Sequence, residues 1–286
     1  MTCARIGISL PLMSPQVVTH PEIERLRLAW LESVRAISTL GAALSDEEWE
    51  APTPCPGWRR KDLISHMVGL ESRVLGGEIP DPTTIDVAKP WVKSAFAGFM
   101  EIDVEVRRSR RGQIVFGEFV DITHLRNEAW ELDVRTPETL IHFDPFGEIT
   151  LELLLRRRVM DIWTHNQDLR TSLGIPGDEN GLGAQHSWKE LGVALPMIFG
   201  KRANAAPGQS LLLEVRDCFT SLVEVNDDGK ASFVQEVAAP TVSISLSAHE
   251  WYLLAAGRDG RENTKPRIHG DEDLAERLLT NFAVTP

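Results

Sequence analysis

The residues whose types and spacing point to chemistry are Asp161, His165 and His66. Asp161 and His165 stand four apart in Arg158-Val159-Met160-Asp161-Ile162-Trp163-Thr164-His165-Asn166-Gln167-Asp168-Leu169. On a helix, two such side chains leave one face roughly 6 Å apart, close enough to converge on one cation. Two ligands from one turn leave a metal short of partners, and the third is expected from His66 in Asp62-Leu63-Ile64-Ser65-His66-Met67. Two imidazoles and a carboxylate, with a fourth position open to water or a thiol, form the donor set of a catalytic zinc, and the same set suits ferrous iron. A plainer reading stands beside this one. Arg158 lies three residues before Asp161, the spacing of an ordinary helical ion pair, and a helical histidine beside an apolar stripe often serves as a hydrogen-bonded core residue.

Helices must carry these groups. Leu151, Leu155, Val159, Ile162, Leu169 and Leu173 repeat at helical spacing, and Leu154, Arg158, Asp161, His165 and Asp168 run beside that stripe, at the edge of a core. Ile23, Leu26, Trp30, Val34, Ile37 and Leu40 make a second helix that stops near Gly41. Ser45-Asp46-Glu47-Glu48 reads as a capping box for a short turn carrying Trp49. In Thr53-Pro54-Cys55-Pro56-Gly57-Trp58 the prolines forbid helix and the glycine permits a sharp turn, so a stiff loop delivers the chain into the His66 helix. Cys55 in that loop reads as a small buried hydrophobe, with a fourth ligand or a nucleophile as the alternative. Residues 76–92 read as an excursion over the surface, followed by helices at about 92–110 and 113–132 and an irregular segment at 133–147. Arg107, Arg108, Arg110 and Arg111 read as a solvated helix end, an anion grip being the alternative, and His124 as a core or surface residue. Four principal helices with ligands on the second and fourth predict a bundle with a metal in its core.

Beyond Gly174 the pattern changes. Residues 175–183, rich in glycine, proline and acids, read as a hinge, followed by one helix over about 184–202. The period then drops to two in Leu211, Leu213 and Val215, in Leu222 and Val223 before Asp227-Asp228-Gly229, and in Val242, Ile244 and Leu246; helices follow at about 248–256 and 271–282. The expected division is a mobile tail at 1–16, a helix bundle at 17–174, a linker with one helix at 175–206, and a small α+β domain at 207–286.

Composition narrows the partners. Among 286 residues, 42% are hydrophobic, enough for real cores, and the formal charge of -12 argues against nucleic acid and anionic membranes. No apolar run is long enough for a membrane span, and the three separated cysteines, Cys3, Cys55 and Cys218, suit a reducing compartment, so the cytoplasm is expected.

The loop Thr53-Pro54-Cys55-Pro56-Gly57-Trp58 with Asp62-Leu63-Ile64-Ser65-His66, and Arg158-x-x-Asp161-x-x-x-His165-x-x-Asp168-Leu169, together resemble the mycothiol-dependent maleylpyruvate isomerase family. Trp251-Tyr252-Leu253-Leu254-Ala255-Ala256-Gly257-Arg258 and Ile268-His269-Gly270-Asp271 extend the likeness to nearly the whole chain from about residue 20. The resemblance implies a DinB-like four-helix bundle followed by a small α+β sterol-carrier-like domain. It also implies a zinc held by His66, Asp161 and His165, the three residues already reached by spacing, although the isomerases usually carry glutamate where this chain has the shorter Asp161. Arg158 and Asp168 then orient Asp161 and His165.

The expected function is a mycothiol-dependent metalloenzyme that activates a low-molecular-weight thiol for addition or transfer to a small electrophile, as an isomerase or an S-transferase. A metal-dependent hydrolase on the same bundle and a non-catalytic small-molecule-binding protein are the alternatives. Arg258 and Arg267, beside the Gly257 and Gly270 turns, are candidates to pair with a carboxylate of substrate or cofactor, surface solvation being their other expected role.

Overall fold

The computed structural model describes residues 19–285, so the expected tail at 1–16 lies outside the described residues. Helix α1 (Pro21–Gly41) opens with a proline in its first turn, and the His20 ring accepts from the Glu22 N–H. Ser45 and Glu48 exchange the expected capping bonds around the turn that buries Trp49. The Pro-Cys-Pro-Gly-Trp loop follows, then α2 (Arg60–Val74), where Asp62 caps the Arg59 N–H at 2.9 Å. Helix α3 spans Ala95–Glu105, starting later than expected because Ser94 caps it and ending earlier in the turns at 106–109, and α4 spans Gly112–Glu131. Helix α5 (Leu151–Leu173) is capped by Thr150 and ends on Gly174 at φ +67°, a left-handed position suited to glycine.

Helix α1 packs along α5 and α2 along α4, and contacts of α1 with α4 and of α2 with α5 close a four-helix ring. The α5 stripe faces its core: Leu151, Leu155, Val159, Ile162 and Leu169 are fully buried with Ile23, Trp30, Leu63 and Phe119. Two expectations fail here. Residues 133–147 are not irregular throughout: β1 (Leu140–Phe143) and β2 (Gly147–Thr150) form an antiparallel hairpin, too short for its alternation to show in sequence. The basic run is only half the solvated end expected, with Arg110 and Arg111 exposed but Arg107 and Arg108 partly buried, and all four are already paired with acids rather than left to grip an anion. Arg107 and Arg110 pair with Glu118, Arg108 with Asp62, Glu101 and Glu105, and Arg111 with Asp46.

The stretch expected as one helix is broken. Helix α6 (Leu182–Gly192) is followed by a short α7 (Leu195–Met197) that widens into a π turn at Ile198–Arg202, and Pro196, which has no N–H to donate, stands at the break. The expected hinge is tied to α5: Trp163 Nε1 donates to the Asp178 carbonyl at 3.0 Å and Gln167 Nε2 to the Gly177 carbonyl at 3.1 Å.

Strands β3 (Ser210–Val215), β4 (Phe219–Val225), β5 (Ala231–Phe233), β6 (Val242–Leu246) and β7 (Arg267–Gly270) form one sheet in the order β5-β4-β3-β6-β7. Only β3 and β6 run parallel. Leu211, Leu213, Val223, Val242 and Ile244 are buried in one core with Trp251 and Leu254 of α8 (Ala248–Ala255) and Leu274 and Leu278 of α9 (Glu272–Thr280). Trp163 of α5 joins this second core, edge-on to Trp188 and Tyr252. One helix thus serves the bundle with one face and the sheet region with another, placing the polar row of α5 where both regions meet.

Candidate metal centre

His66 projects from α2, Asp161 and His165 from α5. Asp161 Oδ1 lies 3.3 Å from His66 Nε2 and 3.7 Å from His165 Nε2, and the three candidate ligand atoms lie within 4.8 Å of one another. Two ligands about 2.05 Å from a tetrahedral zinc stand about 3.4 Å apart, so the donor set fits such an ion in chemistry and in scale.

Each group is held by a further partner. Arg158 Nη1 donates to Asp161 Oδ2 at 3.0 Å, leaving Oδ1 to face the imidazoles. His165 Nδ1 meets Asp168 Oδ2 at 2.8 Å; as an Nδ1–H donor to that carboxylate, the ring presents its Nε2 lone pair to Asp161. His66 is buried, and its Nδ1 has no hydrogen-bond partner among the described residues. Burial raises the Asp161 carboxyl, but Arg158 and the two imidazoles outweigh it and hold the group well below its usual range. Burial pushes His66 below its usual value, further than Asp161 pulls it back, so the ring is neutral at pH 7, the form that ligates a metal.

Behind Asp161 the charges continue inward. Arg158 donates to fully buried Glu71 at 2.9 Å, Trp30 Nε1 donates to the same carboxylate at 3.1 Å, and Arg126 stands 3.5 Å from its other oxygen. Burial lowers Arg126 to about 10 against the pull of Glu71, leaving it charged at neutral pH. Behind His165 the partners come from the sheet region. Arg258 donates from Nε and Nη2 to the two oxygens of Asp168 at 2.8 and 2.9 Å, and the Tyr252 hydroxyl donates to Asp168 as well. Burial, with Asp168 beside it, raises Tyr252 well above its usual value, which keeps that donor protonated.

The structure therefore brings together His66, Asp161, His165, Arg158, Asp168 and Arg258. Surface solvation does not describe Arg258: it is 3% exposed and its fork is occupied by Asp168. Arg267 stands elsewhere, exposed on the outer side of the sheet in a shallow depression with Glu214 and His269. His124 is exposed and faces Glu128 at 3.4 Å. Cys55 reaches the edge of the site, but burial pushes its thiol up to about 12, leaving it protonated and a poor nucleophile.

A cavity of about 470 Å³ opens onto the three ligand residues. Trp58 lies beside both imidazoles, tilted against His66 with ring centroids 5.1 Å apart and stacked on His165 with centroids 5.7 Å apart. Its Nε1 donates to Glu101 at 2.9 Å, and Trp91 Nε1 donates to the same oxygen at 3.2 Å. Gly57 permits this pairing: its φ is +75°, and a Cβ there would stand 2.1 Å from the Trp91 ring. Sequence reasoning missed Glu71, Glu101, Trp91 and Tyr252. Glu101 left a trace, as an acid within the apolar run Phe96–Val104, where a buried carboxylate needs donors.

Residues 30–170, which include α2, most of α5 and all three ligand candidates, match the family model of the mycothiol maleylpyruvate isomerase N-terminal domain. The chain belongs to that family. Two crystal structures share the fold of this family member. One is the mycothiol-dependent maleylpyruvate isomerase, 18% identical over 86% of this chain and 93% of that one, with a TM-score of 0.53. The other is a histidine-to-alanine mutant of a mycothiol-dependent maleylpyruvate isomerase, 17% identical with the same coverage and TM-score. No curated protein sequence matches the chain. Among the described residues no helix is long and apolar enough to cross a membrane.

Proposed function

We propose that the chain is a thiol-dependent metalloenzyme in which His66, Asp161 and His165 hold one divalent metal, zinc by preference, beside a cavity that admits mycothiol and a small electrophile. The observation that carries this reading is the convergence of two imidazoles and a carboxylate on one point of the cavity wall. Membership of a family described by mycothiol and maleylpyruvate isomerisation supports the thiol side. Bound there, the metal supplies Lewis acidity that keeps a thiol ionised at neutral pH.

The protein's own groups do the rest. Arg158 keeps Asp161 ionised and aims one oxygen at the imidazoles. Asp168 fixes the His165 ring, and Arg258 and Tyr252 fix Asp168, so the sheet region contributes to the site without offering a ligand. Trp58, pinned by Glu101, lies against both rings and keeps water from that side. The thiolate sulfur adds to the β-carbon of an unsaturated carbonyl compound while the π pair shifts toward the carbonyl. Rotation about the new single bond and expulsion of the thiolate restore the double bond, which is isomerisation; proton uptake at the α-carbon retains the adduct, which is S-transfer. We further assign residues 17–174 to a DinB-like bundle, 175–206 to a linker, and 207–286 to a sterol-carrier-like domain.

The test is turnover of zinc-loaded protein on maleylpyruvate and on a panel of unsaturated carbonyl compounds, with and without mycothiol. The reading predicts turnover only with the thiol. Equal turnover in its absence overturns it.

A further inference from the structure

We infer that the cavity has a second subsite, built by α3 and the β1–β2 hairpin, that takes an uncharged aromatic body on the electrophile. The inference rests on the proposed thiol chemistry only for the word electrophile; the subsite itself rests on the wall. Leu70, Phe96, Met100, Phe143, Phe146 and Leu154 line that side of the same cavity that reaches His66, Asp161 and His165. Phe96 and Phe146 stand with ring centroids 5.5 Å apart, and Phe146 at the hairpin tip is 48% exposed, a large apolar ring held at the cavity edge. Phe143, Met100 and Leu154 are buried behind them.

Most of the cations lining the cavity are already engaged away from this wall. Arg158 is bound to Glu71 and Asp161, Arg258 to Asp168, and Arg157 faces Glu190 at 3.3 Å. Arg261 donates to the Gly257 and Arg258 carbonyls, and Lys93, also on the lining, is exposed to solvent. A carboxylate placed against Phe96 and Phe143 loses its water and gains no donor, whereas an aromatic ring there meets ring faces and edges at contact distance. The subsite therefore selects against small dianions and for acceptors with an aromatic or similarly apolar body next to the reacting carbon.

Equilibrium binding to the zinc-loaded full-length chain, without thiol, tests this, because saturated ketones cannot react. The probes are 4-phenylbutan-2-one and 4-oxopentanoate, which share the ketone and differ in the body, followed by ligand-observed NMR. The phenyl probe is expected to bind at least tenfold more tightly. Along butan-2-one, hexan-2-one and octan-2-one, affinity should rise about fourfold per buried methylene. Phe146→Ala, at a position exposed enough for the fold to tolerate, and Phe96→Ala should each weaken the phenyl probe three- to tenfold and leave 4-oxopentanoate and metal content unchanged. His124→Ala should change neither probe. Equal or tighter binding of 4-oxopentanoate, or phenyl affinity within twofold of wild type in both phenylalanine variants, overturns the subsite. A parallel assay of 4-phenylbut-3-en-2-one with mycothiol separates the two claims: no thiol-dependent consumption sinks the proposed chemistry, while the binding ratios still decide the subsite.

Discussion

Asp168→Asn should cost the protein both stability and metal affinity. Asp168 is fully buried and accepts from both nitrogens of the Arg258 fork, from Tyr252 and from His165. Asparagine has nearly the same volume but only one acceptor oxygen, so the guanidinium of Arg258 is left buried with no counter-charge. Removing one partner of a buried pair typically costs about 3–5 kcal/mol. Arg258 keeps its bond to the Ala256 carbonyl, which places the expected cost near the lower end, about 3 kcal/mol. For a chain of this size that is a fall in Tm of roughly 6–12 °C. His165 loses the carboxylate that fixes its ring, an effect usually worth about 10–100-fold in metal affinity. Thermal unfolding of the metal-free protein reads the first effect and competition with a chromogenic chelator reads the second. Asp168→Asn/Arg258→Gln should recover part of the lost stability, because the stranded charge goes with its partner, but should not recover metal affinity. A single-variant Tm within 2 °C of wild type, or metal affinity within twofold, would refute the link from Arg258 through Asp168 to His165.

The metal-free protein should lose stability in acid in two stages. Burial depresses His66 below its usual 6.5, so the unfolded chain takes up that proton first and stability begins to fall as pH drops through 6.5. Asp161 and Asp168 are also depressed, so their contribution is intact above about pH 4, the unfolded carboxyl range, and fades as pH falls through the lower folded values. Tm measured from pH 8 to 3 checks both stages, and His66→Gln should shrink the first, leaving the share of His186, which burial also depresses; a Tm that is flat or rising from pH 7 to 5 contradicts the assignment. Cys55→Ser should keep thiol-dependent turnover and metal content within about twofold, since a thiol pushed up to about 12 is not the nucleophile. Loss of turnover at normal metal content in that variant would move the nucleophile into the protein.

Much of the centre was legible because one helix writes it in a single register. The α5 stripe and the polar row beside it differ by a rotation that 3.6 residues per turn makes visible, and that register alone places Asp161 and His165 on one face. His66 was legible because prolines and glycine in the preceding loop stiffen the approach to α2. Arg158 and Asp168 were expected to orient Asp161 and His165, as they do, but the groups that hold those two in turn were not legible. Arg258 and Asp168 lie ninety positions apart, and their contact exists only because the sheet region docks on α5 through Trp163. Glu71 and Glu101 look like ordinary helical acids in sequence; only burial turns them into anchors for Arg158, Trp58 and Trp91. The β1–β2 hairpin and β7 were missed for a different reason. Each strand has four residues and at most one buried side chain, too little alternation for a period of two to register.

The most direct test of the metal centre is zinc titration of chelator-stripped protein, with occupancy counted by elemental analysis. Wild type should take up one zinc per chain. His66→Ala, Asp161→Ala and His165→Ala should each lose most of it, and His124→Ala should bind as wild type does. No stoichiometric uptake by wild type, or full occupancy in any of the three ligand variants, would contradict the assignment.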